Sequence, residues 1–311
     1  MLVWPLTTGV VAVTLVRLLD WDRGVLLVQL ISFTPLVAAL AVCATVVAGL
    51  SRRLPAATAC GLAALALLAC VAPRALGTPG PEVGTPLVVM AVNLRVGGAD
   101  APSIVDLVRD AGVDVLALQE FTPDAEHGLH VAGLADLLPY RESHPRTGVD
   151  GSAVYARILL HDGGVRMASA AGFYQASATV TLPSGAAVIV ESVHPVPPID
   201  AAALPHWEAG LRHQLRGDAA GPPRILAGDF NATLDHRALR DVLETGYRDA
   251  ADEVGAGLTP TWPFYGRRSS VTPRIALDHV LVPGGVGVRD FRVVTIHRTD
   301  HRAIIATLTV S

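Results

Sequence analysis

The stretch Arg224–Asn231 reads Arg-Ile-Leu-Ala-Gly-Asp-Phe-Asn. Three apolar residues, Ile225, Leu226 and Ala227, run into Gly228, and two polar side chains then follow two positions apart, Asp229 and Asn231. In an extended backbone, positions i and i+2 point to the same side. The pattern predicts a buried strand, Arg224–Phe230, that delivers a carboxylate and a carboxamide to one point at its C-terminal end. Open α/β sheets hold their ligands at that end of a strand.

The surrounding sequence has the same grammar. Strands are expected at Leu87–Val96, Asp114–Glu120, Gly151–Arg157, Phe173–Leu182, Ala186–His194, Ala276–Val282, Asp290–Ile296 and Arg302–Val310. Amphipathic helices are expected at Ser103–Ala111, with Ser103 as N-cap, and at Asp124–Leu138, Asp200–Leu215 and His236–Thr245. Phe173–Leu182 and Ala186–His194, joined through Pro183-Ser184-Gly185, read as a hairpin. Hairpins mixed with helical crossovers predict sheets covered by helices, an α/β sandwich.

The first quarter of the chain is different. The hydrophobic fraction of 51% and mean hydropathy of +0.44 are high for a water-soluble enzyme, and the excess is local. Residues 1–76 hold five Arg and two Asp, so 19 of the 24 basic and 26 of the 28 acidic residues lie in 77–311. Three apolar runs, Val3–Leu19, Val25–Leu50 and Leu54–Val71, each approach the ~20 residues of a membrane-spanning helix. The expectation is a membrane region of three transmembrane helices over 1–76, then a Pro/Gly linker at 77–86 that holds a domain at 87–311 away from a lipid bilayer. Arg52-Arg53 is the most concentrated positive loop, which places it in the cytoplasm and the domain on the far side of a multi-pass cell-membrane protein. Arg74, just past the third run, argues the other way. The acidic balance of 77–311 argues against a domain that grips duplex DNA through clustered basic residues. The three Cys, at 43, 60 and 70, all lie in the apolar part and leave no thiol chemistry to the domain.

Polar residues recur where predicted strands end. Asn93, Glu120, His194, Asp229 and Asn231, Asp278 and the pair Asp300-His301 are all carboxylate, amide or imidazole. Those types suit phosphoester hydrolysis. Carboxylate oxygens hold Mg2+ or Mn2+, a carboxylate or His activates water, and a His protonates the departing oxygen. Zinc is less suited, because the one His-x-x-x-His spacing, His297 to His301, crosses a strand end.

Asn93, Leu118-Gln119-Glu120, Gly228-Asp229-Phe230-Asn231-Ala232, Leu277-Asp278-His279-Val280 and Thr299-Asp300-His301-Arg302-Ala303 stand in an order that resembles the endonuclease/exonuclease/phosphatase superfamily. The resemblance covers about 87–311. It implies a four-layer α/β sandwich of two packed mixed sheets and a divalent-metal-dependent phosphoester hydrolase. It also implies the roles. Glu120 is the main metal ligand, with Asn93 beside it and Asp300 as a further metal-side acid. Asp229 orients or deprotonates the attacking water, and Asn231 positions phosphate and water. His301 contacts the scissile phosphate and is oriented by Asp278, while His194 is the leaving-group acid. The substrate, by the same resemblance, is nucleic acid, a phospholipid headgroup or a small phosphodiester, with no obligate protein partner. The rival reading is a non-catalytic membrane-tethered binding or sensing module on the same fold. It predicts loss of Glu120, Asp229 or His301, and all three are present.

Other residues are assigned less sharply. His127, His130, His206, His213 and His236 fall on predicted helices and read as solvated. His279 is either a neighbour of the site or the outward partner of Asp278. Trp262, Phe264 and Tyr265 either floor a pocket or pack. Arg146 and Arg157 are candidate phosphate clamps.

Overall fold

The structure, a computed structural model, describes residues 3–80 and 83–311. Four apolar helices come first: α1 (Val3–Leu18), α2 (Val25–Ile31), α3 (Thr34–Leu50) and α4 (Leu54–Val71). The remaining elements follow as β1 (Thr85–Asn93), α5 (Ala101–Ala111), β2 (Val115–Gln119), α6 (Pro123–Val131), α7 (Leu134–Leu137), β3 (Tyr140–His144), β4 (Ser152–Ala156), β5 (Leu160–Met167), β6 (Tyr174–Thr181), β7 (Ala187–Val193), α8 (Leu204–Arg212), β8 (Arg224–Asp229), α9 (Arg237–Leu243), β9 (Arg248–Asp249), β10 (Asp278–Val282), β11 (Val286–Thr295) and β12 (Arg302–Val310).

Two six-stranded sheets result, ordered β11-β12-β1-β2-β4-β3 and β5-β6-β7-β8-β10-β9. Each contains a single parallel pair, β1/β2 in one and β7/β8 in the other. A parallel pair requires a crossover, and α5 and α8 lie between those strands. The sheets pack face to face over Leu87, Val115, Val154, Val190, Ile225, Val280 and Ile304, all fully buried. On the outer face of the first sheet, Met90, Leu116 and Leu118 pack on residues of α5, α6 and α7 such as Ile104 and Leu129. Leu226 and Leu281, on the outer face of the second, pack on Trp207 and Leu211 of α8 and Leu239 of α9. The layers are therefore helix, sheet, sheet, helix, as the resemblance implies.

Local corrections have physical causes. Helix α5 begins at Ala101, because the Asp100 carboxylate accepts from both the amide (3.1 Å) and the hydroxyl (2.5 Å) of Ser103. Asp100, and not Ser103, is the N-cap. The expected helix Asp124–Leu138 divides into α6 and α7 at Gly133, which has φ +91°. Strands β3 and β5 are additional, and each forms the edge of its sheet.

The apolar N-terminal runs also depart from expectation. Among the described residues, only Leu54–Ala75, with a mean hydropathy of 2.1, is a helix long and apolar enough to cross a membrane by itself. The run Val25–Leu50 forms α2 and α3, bent by 72° at residues 32–33, where Pro35 sits in the first turn of α3. Val3–Leu18 is a shorter apolar helix. Three spans are thus not what helix length alone supports.

Nor does the helical part stand off from the sandwich. Arg74, buried, forms a bidentate pair with Asp235 at 2.8 and 2.9 Å, and Arg17 Nε donates to the same carboxylate at 2.9 Å. Asp20 pairs with Arg237 and Arg240, and Asp22 accepts from the Arg237 amide. Val28 of α2 joins the apolar cluster of α8 and α9. His236, expected to be solvated, is buried: Thr233 N–H donates to its Nδ1 (2.8 Å), and its Nε2 meets the Val28 carbonyl (2.9 Å). Arg74, ambiguous as a topological signal, is a docking residue. Of the linker, Pro81 and Glu82 lie outside the described residues. Gly80 hydrogen-bonds Val288, and a Cβ on Gly77 would lie 2.0 Å from the Gly255 nitrogen, so the segment lies on the sandwich.

Candidate active site

Topology brings the polar strand ends to one edge. Strands β1 and β8 end at Asn93 and Asp229, and Glu120 and His194 immediately follow the ends of their parallel neighbours β2 and β7. Strands β10 and β12 run antiparallel to β8 and β1, so they start where those end. Asp278, the first residue of β10, is the register partner of Asp229, and Asp300-His301 immediately precedes β12. Gly228 is required by close approaches both within its sheet, to β7, and across to β2 of the other sheet. A Cβ there would sit 2.3 Å from the Val193 carbonyl and 2.8 Å from Gln119 Nε2. Directly beneath the site, Gln119 Nε2 donates to Ser192 Oγ and Ser192 Oγ to the Leu118 carbonyl, both at 2.8 Å, bridging β2 of one sheet to β7 of the other.

All eight residues named from sequence converge. Asp229 is 1% exposed and lies at the centre. Its Oδ1 accepts from the Asn231 amide at 2.8 Å and its Oδ2 from Asn93 Nδ2 at 3.0 Å. The imidazoles of His301 and His194 approach Oδ2 at 3.5 and 3.8 Å. His301 Nδ1 lies 2.9 Å from Asp278 Oδ2, and Thr261 Oγ1 accepts from the Asp278 amide. Glu120 accepts from Asn93 Nδ2 (3.3 Å) and from the Val96 amide (2.6 Å). Trp262 Nε1 donates to Asp300 at 3.1 Å, and Arg95 stands 3.7 Å from the same carboxylate. The Asn231 side chain donates to the Pro195 carbonyl (3.0 Å). Glu120 and Asn231 both hold φ near +50°, a left-handed conformation that costs a non-glycine residue roughly 1–3 kcal/mol and clusters at functional sites.

Charge is distributed unevenly across this cluster. Burial pushes the Asp229 carboxyl up, with His301 opposing and Asp278 adding to the rise. Glu120 is raised as well, again mainly by burial. Burial alone would lower His301, but the carboxylates of Asp278 and Asp229 outweigh it and bring its pKa to about 10. His194, more weakly compensated, is lowered by burial and rests as the neutral ring. A protonated and a neutral imidazole therefore flank one carboxylate, which is an acid/base arrangement. Asp229, Asp278 and His301 also place ligand atoms within 4.8 Å of one another. Because His301 is held protonated between two carboxylates, that trio is better suited to a proton. The Glu120 carboxylate and the neighbouring Asn93 carboxamide offer the oxygen ligands that suit a hard cation.

The sequence model of the Endonuclease/Exonuclease/phosphatase family matches residues 90–301. The chain belongs to this family. No curated protein sequence matches the chain. Solved structures agree on the fold. An endonuclease/exonuclease/phosphatase from Beutenbergia cavernae is 19% identical over 73% of this chain and 72% of its own, with a TM-score of 0.59. A 3′ phosphatase (NExo) from Neisseria, bound to a product DNA hairpin, is 20% identical over 71% and 98%, with a TM-score of 0.54. D. rerio TDP2, complexed with a single-strand DNA product, is 16% identical over 72% and 99%, with a TM-score of 0.59. At such identities the likeness is one of fold.

The less sharply assigned residues divide. Arg157 lies at the far end of β4, where it pairs with Asp114, so it is no phosphate clamp. Arg146 sits on the Tyr174 ring beside Asp150. His279 points away from the site, hydrogen-bonded to Asp249 (2.7 Å) and the Ala232 carbonyl (2.9 Å). Trp262 lines the cleft, whereas Phe264 packs between the guanidinium groups of Arg274 and Arg302. Several contributors escaped the sequence reading. Thr299 Oγ1 donates to the Asn93 carbonyl and accepts from the His301 amide, tying two strand ends together. Gln29, Ser32 and Phe33 of the α2–α3 bend form part of the cleft wall. Gln29 was the available signal, an amide in an otherwise apolar run followed by Ser32 and Pro35.

Proposed function

We propose that the chain is a divalent-metal-dependent phosphoester hydrolase held at a membrane by its N-terminal helices. One observation carries this reading: the buried Asp229 carboxylate lies between the imidazoles of His301 and His194, at the floor of an open cleft of about 510 Å³. Family membership and neighbours that include a DNA 3′ phosphatase support it. In the reaction the water oxygen bonds to phosphorus and the bond from phosphorus to the departing oxygen breaks. Asp229, whose pKa burial has raised toward the working range of a base, takes the water proton. The His301 imidazolium faces the phosphoryl oxygens and supplies the proton to the departing oxygen. The family resemblance assigns that proton to His194, but a ring resting neutral is better used as a hydrogen-bond donor. Asn231 and Asn93 orient the water and the phosphate. Glu120, Asn93 and Asp300 would hold Mg2+ or Mn2+, which when bound supplies positive charge to the phosphoryl oxygens.

The pH profile tests the assignment. The raised pKa means that the folded chain holds the His301 proton more tightly than the unfolded chain does. Its stabilising contribution is complete below the unfolded value of 6.5 and is lost as pH rises through about 10. Hydrolysis of bis(4-nitrophenyl) phosphate should therefore fall on an alkaline limb near pH 10. Asp278→Asn, which removes the larger carboxylate contribution, should move that limb to lower pH. A limb unmoved by Asp278→Asn would refute the role given to His301.

Membrane attachment rests on Leu54–Ala75 as a span, with the bent pair α2–α3 as a second. The Arg52-Arg53 loop supports an extracytoplasmic sandwich in a multi-pass cell-membrane protein. A reporter enzyme fused after Ser311 should read as extracytoplasmic in intact cells; a cytoplasmic readout would reverse the orientation.

A further inference from the structure

The catalytic cleft is not closed by the sandwich alone. One wall is the α2–α3 bend, contributing Gln29, Ser32 and Phe33, and another is the stiff rim Pro197-Pro198-Ile199 that follows His194. Gln29 Nε2 donates across to the Pro198 carbonyl at 3.3 Å, so the two walls touch. Ile199 is 63% exposed. The buried carboxylates and imidazoles lie at the floor; above them Phe33 and Ile199 form an apolar side of the cleft, beside the exposed side chains of Arg95 and Arg268.

The apolar surface continues out of the cleft. Phe33 immediately precedes α3, and Leu36, Leu40, Cys43, Val47 and Leu50 follow at alternating steps of three and four residues. That spacing puts them on one helical face. All five are exposed. Helix α3, at 17 residues, is about 25 Å long at ~1.5 Å per residue, close to the depth of a bilayer's hydrocarbon core. An apolar stripe of that length, ending at the mouth of a site built for a phosphoester, matches a molecule with a phosphate at one end and a hydrocarbon chain at the other.

We propose that the substrate is an amphiphilic, lipid-borne phosphoester. Its phosphate lies over Asp229 and His301, and its hydrocarbon chain leaves between Phe33 and Ile199 along the face of α3. This rests on the hydrolase reading and narrows its substrate class. A free polynucleotide lacks the apolar portion that these walls would desolvate.

The test is a chain-length series at constant headgroup. Butyl-, octyl- and dodecylphosphonate are titrated by calorimetry into the full chain in nanodiscs with Mn2+, and bis(4-nitrophenyl) phosphate turnover is followed separately. Each added methylene should tighten binding by up to about fourfold, the equivalent of ~0.8 kcal/mol per buried methylene. Partition into the bilayer is common to all variants, so the decisive quantity is the dependence on chain length in Phe33→Asp and Ile199→Asp. Both should flatten it relative to the parent chain. Ile199 is exposed, so Ile199→Asp keeps the test sound should Phe33→Asp misfold. A slope unchanged in Ile199→Asp overturns the proposal even where turnover is intact. Absence of turnover with an intact slope defeats the hydrolase reading and leaves an amphiphile-binding cleft.

Discussion

Asp229→Asn is expected to lower kcat/KM for a phosphodiester by about 10³-fold, the middle of the range that removal of a positioned general base costs, while leaving the chain as stable as before. The substitution keeps the size of the side chain and its acceptor for the Asn231 amide. It removes a charge that burial disfavours, which offsets the loss of the Oδ2 acceptor for Asn93 and of the attraction to His301, so the melting temperature should change little. The pairing of large catalytic loss with undiminished stability separates a catalytic group from a structural one. His301→Ala should cost about 10²–10³-fold, since it removes the cation that faces the developing charge. Combined with Asp229→Asn it should cost little more, because groups acting as one unit are not additive. Steady-state kinetics with thermal denaturation on the same preparations decides this. Parent-like kcat/KM in Asp229→Asn would contradict the mechanism.

The second large effect concerns the join between helices and sandwich. Asp235 is 1% exposed and receives both Arg17 and the bidentate Arg74. Burial alone would raise its pKa, yet Arg74 and Arg17 hold the carboxyl below its ordinary value. Its contribution is therefore present above the unfolded carboxylate pKa and lost as pH falls through the lower folded value. Asp235→Ala leaves two guanidinium groups buried without their partner, a defect of about 3–5 kcal/mol. The expected result is a clear drop in melting temperature in detergent and faster proteolysis within 77–86. Unchanged melting and unchanged cleavage would mean that the pair does not hold the two parts together. Because the α2–α3 bend walls the cleft, loosening this join should also reach the active site.

The sandwich was legible in the sequence wherever a strand is buried on both faces. Strands β1, β2, β4, β7, β8, β10 and β12 are such runs, and each was placed to within a few residues. Of the edge strands, β11 was placed in part, whereas β3, β5 and the two-residue β9 were not. Tyr140–His144 and Leu160–Met167 are polar and largely exposed, and the second carries a bulge between His161 and Gly164. An edge strand has one neighbour and little burial, so its sequence carries no apolar periodicity to read. The candidate site was legible for a related reason. A polar residue at the end of an apolar run is conspicuous, and the topology gathers eight of them at one edge.

What escaped were partners chosen by tertiary contact. Nothing local in Asp235 or His236 indicates that Arg17, Arg74 and Val28 would bury them. Nor does the run Val25–Leu50 announce that its bend wraps the catalytic cleft, although Gln29 and Pro35 were there to be weighed. Arg157 was misplaced because a strand's sequence shows which faces are buried and not which end carries the site.

The Asn93–Glu120–Asp229–His301 cluster is proposed to hydrolyse phosphoesters with a divalent cation. The most direct test is turnover of bis(4-nitrophenyl) phosphate by the purified full chain, first with Mg2+ or Mn2+, then with excess EDTA, then with the metal restored. Activity that disappears with chelator and returns with either metal is the predicted result. Turnover indifferent to chelator, or absent under every metal condition, would contradict the account.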